Sequence, residues 1–203
     1  MAIENGYASL SDVKSALRIE DDLDDTLLEL SIESASRLID GYTQRFFYSA
    51  GTATKVFIPE DSFRVNINDL QSLEHLKTSN DGEAFTVTWS ANDYQLEPLN
   101  DQAGGLDFPY TRISAVGGKL FPIFDPKNPD HFEATVEVKG VWGWESVPTA
   151  IRQATIILAM RQFKRYDSPL GVAGFGDLGA MRVSSIDPDV EALVLPFRKF
   201  TAV

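Results

Sequence analysis

The chain has 203 residues, enough for one large domain or for a small body with appendages. A hydrophobic fraction of 43% and an aromatic fraction of 11% exclude a wholly disordered chain, and no apolar run approaches the ~20 residues of a membrane-spanning helix. The lack of cysteine excludes disulfide scaffolds, thiol nucleophiles and zinc fingers, and a net charge of −12 disfavours tight binding of DNA or RNA.

Two helices are predicted at the start of the chain. Ser9 and Asp12 form a helix-start signal, so a short helix should run over about 9–18. A second helix is predicted over 24–46, because apolar residues recur at helical spacing throughout. The acidic stretch at 20–25 suits the positive end of the helix dipole, and we interpret it as a solvated cluster that caps the second helix.

The middle of the chain, residues 52–145, changes to a period of two and is predicted to be an antiparallel β module with long loops. Strands are predicted at 55–58, 63–67, 85–89, 94–96, 112–114 and 134–142. The helical period returns at Pro148, and a long helix is predicted from there to Tyr166. Its basic last turn complements the negative end of the helix dipole.

The last part of the chain, residues 168–203, is predicted to be an extended arm. A glycine-rich stretch at 171–179 is typical of a mobile linker, and Asp187 with Pro188 can start a last short helix. We therefore predict an α+β fold with three parts. These parts are a helical body formed by residues 1–51 and 146–167, an antiparallel β insert over 52–145, and the glycine-linked arm.

Three patterns that could indicate catalysis or ligand binding have simpler structural explanations. G-x-G-x-x-G at 174–179 follows a helix and opens none, which disfavours a dinucleotide site. S-x-x-K from Ser11 to Lys14 lacks the companion motifs of the acyl-transfer enzymes that use it. The two histidines, His75 and His131, stand in no metal or triad pattern. The sequence therefore predicts no catalytic, metal or cofactor residue, and no enzyme.

Trp142 and Trp144 are separated by one residue, so both indoles would face the same side of a strand. Such a pair could anchor the last strand in a core or junction, form an interface with another subunit, or stack on a sugar ring. Sugar stacking would make the β insert a carbohydrate-binding or hydrolytic module, and hydrolysis would need a carboxylate pair beside the indoles.

The order of these parts resembles the head–tail connector (adaptor) family of long-tailed double-stranded DNA bacteriophages. The second helix contains I-x-x-A-x-x-x-I-D-x-Y-T-x-R, which begins at Ile32. The stretch G-W-x-x-V-P-x-x-I-x-x-A, which begins at Gly143, opens the second long helix. The resemblance covers about 9–48 and 138–167, and the order and spacing of these stretches carry it.

The resemblance implies a structural virion protein: a ring, usually dodecameric, that docks under the capsid portal. It would assemble in the host cytoplasm and remain at the head–tail interface of the virion. The opposite face of the ring would receive a stopper or tail-completion protein, and DNA would cross the channel without specific binding. A stopper or tail-completion protein is the alternative within the neck, although two long helices argue against it. No membrane contact is implied.

Residues for these roles follow from the predicted elements. The arm residues, which have little body to bury against, are expected to dock on the portal: Val190, Leu193, Val194, Phe197, Arg198 and Phe200. Apolar residues of the long helices are expected to pack together in the ring body: Leu30, Leu38, Ile151 and Leu158. Acids of the helical body are candidates for a channel wall that does not hold DNA: Asp21, Asp22, Asp24, Asp25 and Glu29.

Overall fold

The computed structural model describes residues 3–80, 83–100, 108–123, 134–166 and 188–199. These residues form four α-helices and a six-stranded antiparallel sheet, so the predicted α+β class is confirmed. The chain divides into two compact units, a helical unit of Met1–Phe47 with Val147–Val203 and a β unit of Tyr48–Ser146. The last described segment is therefore part of the helical unit and not a separate arm.

The helical unit contains α1 (Leu10–Leu17), α2 (Asp25–Thr43), α3 (Thr149–Tyr166) and α4 (Pro188–Val194), followed by a 3-10 helix (Leu195–Phe197). The start of α1 is explained by its cap. The Ser9 hydroxyl accepts a hydrogen bond from the Asp12 backbone N–H, and the Asp12 carboxylate accepts one from the Ser9 N–H. This reciprocal arrangement satisfies two N–H groups that a helix start would otherwise leave without partners.

The end of α2 differs from the prediction, which extended the helix to Phe46. Gln44 adopts a left-handed backbone conformation with a φ of 57°, and its N–H bonds the Asp40 carbonyl, so the helix stops there. Beyond this point Phe46 is 58% exposed, whereas Phe47 is fully buried in the helical unit. The apolar pattern thus continues past the end of α2 because Phe47 is buried in the core of the helical unit without being part of the helix.

The core of the helical unit lies between α1, α2 and α3. Leu28, Ile32 and Ala35 recur on one face of α2, are fully buried, and pack in one cluster with Val13 of α1 and Ala159 of α3. Full burial of a leucine or isoleucine is worth about 1.5–3 kcal/mol of hydrophobic free energy. This face of α2 therefore supplies much of the stability of the helical unit.

The path of the chain between the two long helices shows their relative direction. The Trp144 N–H, five residues before α3, donates to the carbonyl of Tyr48, five residues after α2, at 3.1 Å. The end of α2 and the start of α3 therefore lie near each other, and the two helices run antiparallel. The N-terminal end of α2 and the C-terminal end of α3 consequently share the opposite end of the unit.

The β unit contains β1 (Ser49–Phe57), β2 (Arg64–Thr78), β3 (Val87–Thr88), β4 (Tyr94–Glu97), β5 (Tyr110–Ala115) and β6 (Val136–Gly143). The strand order is β1-β6-β2-β5-β4, and β3 pairs with β2. Every pair is antiparallel. The core of this unit is made of alternate side chains of β2, β5 and β6 together with stacked rings of Trp89 and Phe121, whose centroids lie 4.6 Å apart.

β2 is much longer than the predicted strand at 63–67, because its second half was not recognised from the sequence. Leu70, Leu73 and Leu76 recur every three residues, which is not the period of a strand. The pairing of β2 with β6 shifts between Leu70 and Ser72 and again between Leu73 and His75. These bulges insert extra residues and break the alternation.

Candidate assembly surfaces

The segment 188–199 packs on the helical unit. Val190 and Val194 of α4 are each 1% exposed, and Phe197 is 4% exposed. The expectation that these three side chains have little body to bury against is therefore wrong. Leu193 is half-buried and Arg198 is exposed, while Phe200 lies outside the described residues.

Polar contacts hold this segment at the end of α2. The Tyr42 hydroxyl donates a hydrogen bond of 2.8 Å to the Glu191 carboxylate, which raises the pKa of Tyr42. The Arg198 guanidinium lies over the Tyr42 ring, 5.3 Å from its centroid. The Lys199 backbone N–H donates to the Thr43 carbonyl, one of the last carbonyls of α2, at 2.9 Å. Each contact joins residues far apart in sequence, so none could be expected from local patterns.

An aromatic contact and a buried polar network lie beside these bonds. The Phe197 ring packs against Phe47 in an edge-to-face arrangement with the ring centroids 5.7 Å apart, and the Tyr7 ring does the same at 5.6 Å. The Tyr7 hydroxyl donates to the Asp40 carboxylate and accepts from the Phe47 N–H at 3.0 Å. Both chain ends are thus anchored on the same ring, that of Phe47.

Asp40 is a buried acid held by two partners. Burial raises the pKa of its carboxyl group, although the hydrogen bond from Tyr7 and the charge of Arg37 both act in the opposite direction. The Arg37 side chain lies 2.8 Å from the carboxylate as an ion pair that is not aligned as a hydrogen bond. Because the charged form is disfavoured in the folded state, this group stabilises the fold most when protonated, and that contribution is lost as the pH rises through its folded pKa.

Of the residues predicted to pack the long helices together, Ile151 is fully buried, and Leu158 is half-buried against the cluster of α1, α2 and α3. Leu30 and Leu38, in contrast, are 44% and 55% exposed. They do not belong to the core within one chain, because α2 turns its other face, with Ile32, towards α3. Packing in a ring body remains a proposal for these residues.

The five acids predicted for a channel wall differ in their surroundings. Asp21 and Asp22 are exposed, and Asp24, Asp25 and Glu29 are half-buried. The Lys14 ammonium lies 2.7 Å from the carboxylates of both Asp22 and Asp25, and it lowers the pKa of Asp22. One lysine thus offsets part of this negative charge, and the cluster remains acidic overall.

Both indoles are buried, which excludes sugar stacking and direct contact with another subunit by their faces. Trp142 is 1% and Trp144 is 3% exposed. The Trp142 indole N–H donates to the Ala53 carbonyl at 2.8 Å, and that of Trp144 donates to the Asp69 carboxylate at 3.0 Å. Between them Gly143 has a φ of 91°, and a Cβ there would lie 2.1 Å from the Tyr48 carbonyl oxygen, so glycine is required. Core packing is the role that these contacts support.

A cavity of about 450 Å³ in the β unit is lined in part by Gln71, Asn100, Tyr110, Trp144 and Glu145. Glu145 is the single carboxylate among its described lining residues. The carboxylate pair that glycoside hydrolysis needs is therefore not present in that lining.

The remaining motifs have structural explanations where they lie within the residues that the structure describes. Lys14 is held by two aspartates, so it does not activate Ser11. The His75 ring lies 3.4 Å from Glu137 on the neighbouring strand. Within the described ranges no group of histidines and acids could hold a metal ion, and no helix is long and apolar enough to cross a membrane. His131 and the glycine motif at 174–179 lie outside those ranges.

Comparison with solved structures defines the class of fold. The chain is similar to a chain in a structure described as "Neck of empty GTA particle computed with C6 symmetry", with a TM-score of 0.56 and 20% identity. It is also similar to a chain of the "Virion of native gene transfer agent (GTA) particle", with a TM-score of 0.54 and 19% identity. Each similarity covers 100% of this chain and 95% of the other. The fold is thus one found in virion-like particles.

Comparison of the sequence with models of protein families identifies one family that the chain resembles. The model of the family described as "Phage gp6-like head-tail connector protein" matches residues 7–84. The resemblance to head–tail connectors that the sequence indicated is therefore confirmed, and this match includes α1 and α2 with the motif that begins at Ile32. No curated protein sequence matches the chain.

Proposed function

We propose that the chain is a neck adaptor, a non-catalytic subunit of a ring at the head–tail interface of a phage-like virion. The observation that carries this proposal is the likeness of the fold, over the whole chain, to a chain in the neck of a gene transfer agent particle. The connector family match supports it independently, because it comes from the sequence. A dodecameric ring, which the resemblance implies, is compatible with the six-fold symmetry of that neck.

The segment 188–199 is the proposed contact with the capsid portal. Its buried side chains fix it on the helical unit, so portal contacts fall to the side chains that remain accessible, above all Leu195 and Arg198. Leu195 is 45% exposed, and an exposed apolar side chain suits a docking contact that is repeated around a ring. The other face of the ring would receive a stopper or tail-completion protein.

The ring would form part of the DNA channel, and its acid excess would keep DNA moving. A wall with few free cations offers no counterion release on contact with phosphates, which removes the main source of non-specific affinity. The acidic stretch that precedes and begins α2 is the proposed part of the wall, with the exposed Asp21 and Asp22 as examples. We expect no measurable binding of duplex DNA at physiological salt.

A complementation experiment tests the adaptor function. A phage or particle that lacks the gene should produce DNA-filled heads without tails, and the full chain supplied in trans should restore tailed particles. Leu195→Glu should fail to restore them, and it should leave the helical circular dichroism unchanged because this side chain is 45% exposed. Leu120→Glu, at a 55% exposed site of the β unit, is the control and should complement. Normal tails without the gene would contradict the proposal.

A further inference from the structure

We propose that the exposed apolar face of α2 is covered by α3 of a second copy of the chain. We call this face, formed by Leu27, Leu30 and Leu38, the leucine stripe. The inference rests on the proposed ring and goes further, because it assigns the two surfaces that meet. It follows from three properties of the helical unit: exposed apolar side chains, opposite charges on the two long helices, and the direction of those helices.

The leucine stripe is an exposed side of α2 on which apolar side chains predominate. Its side chains are 38%, 44% and 55% exposed and follow each other at spacings of three and eight residues, which places them on one side of α2. Ser34 and Gly41 occupy the remaining positions of this side, and nothing lies within 4 Å of a Cβ built at Gly41. The small side chain of Ser34 between the leucines, and Gly41 beyond them, allow another helix to approach closely.

The two long helices carry opposite charges. Residues 20–43, which comprise α2 and the link before it, contain one base, Arg37, and many acids: Glu20, Asp21, Asp22, Asp24, Asp25, Glu29, Glu33 and Asp40. α3 contains no acid, and its charged residues are bases: Arg152, Arg161, Lys164 and Arg165. Such complementarity favours the association of one α2 with another α3 and disfavours the pairing of two copies of the same helix.

The outward side of α3 offers one apolar side chain with a basic residue towards its C-terminal end. Gln153, Ile157 and Lys164 share one side of the helix, and Gln153 and Lys164 are exposed while Ile157 is half-buried. A half-buried apolar centre between polar and basic ends suits a leucine stripe that has acids at one end.

Because α2 and α3 are antiparallel, the acidic end of α2 and the basic end of α3 lie at the same level along the helical unit. The acid-rich N-terminal end of α2 and the basic C-terminal end of α3 lie at the same end of the helical unit. A neighbouring copy in the same orientation, turned about a ring axis, therefore presents its Lys164 and Arg165 at the level of Glu20 and Asp24. A contact between two different surfaces of identical subunits is head-to-tail, and such contacts form a ring when the rotation between neighbours closes.

A substitution within the stripe tests the apolar part. Leu38→Arg should retain the helical circular dichroism, because this side chain is 55% exposed within one chain. It should weaken self-association by at least about ten-fold, since an arginine would have to be buried among apolar groups. Leu120→Arg makes the same change at an equally exposed site of the β unit and should leave self-association within about two-fold of the wild type. Analytical ultracentrifugation of the full chain measures both.

A charge exchange tests which surfaces meet. One variant carries Glu20→Lys with Asp24→Lys, and the other carries Lys164→Glu with Arg165→Glu. Each alone presents like charges across the contact and should self-associate at least about ten-fold more weakly than the wild type. An equimolar mixture should recover the association, because every contact then joins unlike charges again.

The outcomes separate this inference from the adaptor function. Recovery in the mixture, with loss in each variant alone, supports the contact. A wild-type chain that stays monomeric at every attainable concentration, or variants that associate as the wild type does, would overturn it. Either result would leave the complementation experiment unaffected, because the portal contact lies on the other segment of the helical unit. Failure of complementation with intact self-association would instead contradict the adaptor function.

Discussion

Replacing Phe197 with alanine should destabilise the helical unit while leaving the β unit unchanged. The ring is 4% exposed and packs edge-on against Phe47, so its removal takes away buried area and an aromatic contact. Phenylalanine-to-alanine changes in cores cost about 3–5 kcal/mol. Because Phe197 lies in a short 3-10 helix at the end of the described chain, which can move to fill part of the cavity, we expect the lower value, about 3 kcal/mol.

The distribution of tryptophan gives each unit its own signal. All three tryptophans, at positions 89, 142 and 144, lie in the β unit, whereas all four described helices lie in the helical unit. Urea unfolding followed by far-UV circular dichroism therefore reports chiefly on the helices, and tryptophan fluorescence reports on the β unit. With a denaturant slope of about 2 kcal/mol per molar urea, the helical transition should shift by about 1.5 M, and the fluorescence transition should stay in place.

Leu195→Ala is the matched control, two residues away on the same 3-10 helix. Its side chain is 45% exposed, so its removal should cost less than about 0.5 kcal/mol. If Phe197→Ala also costs less than about 0.5 kcal/mol, the segment 188–199 does not pack on the helical unit in solution, and the docking geometry described above is wrong.

Two further predictions concern the N-terminal segment. Tyr7→Phe removes the hydroxyl that donates a hydrogen bond to the buried Asp40, and it should lower the free energy of unfolding in urea by about 2–3 kcal/mol. A decrease below about 0.5 kcal/mol would be inconsistent with this network. Asp12→Asn should cost at most about 1 kcal/mol at neutral pH, because Arg152 is largely exposed. The hydrogen bond from Arg152 lowers the pKa of Asp12 to about 2 in the folded state. The extra stability of the wild type over the variant should therefore be complete above pH 3.8, the pKa of the unfolded state, and should disappear as the pH falls through about 2. Extra stability that persists at lower pH would contradict the pairing.

Local signals were sufficient for most elements of the fold. The Ser9 capping box, the proline before α3 and the alternation in β5 and β6 are each contained within a few residues, and they predicted elements close to those observed. β2 was predicted only in part, because bulges set by its pairing with β6 are a property of the sheet. The end of α2 depends in the same way on Phe47, which leaves the helical pattern to contact Tyr7 and Phe197.

The candidate surfaces were harder to predict because an apolar side chain has the same identity in a core and in an interface. Leu28 and Leu30 both fit the broad apolar face of α2, but one is fully buried and the other is 44% exposed. Only the position of α3 distinguishes them. The prediction that Val190 and Val194 are accessible docking residues was wrong for the same reason, because the surface that covers them comes from elements distant in sequence.

A subunit with a net charge of −12 can still associate with copies of itself, because the two effects act over different distances. Repulsion between whole subunits is long-range and is screened beyond about 8 Å at physiological ionic strength. Contact between the leucine stripe and α3 is short-range, and it joins the most acidic part of the helical unit to a helix that contains only basic charges. Lys164 and Arg165 of α3 would then pair with acids of the neighbouring subunit, and the acids outside this contact are the ones available to face DNA in a channel.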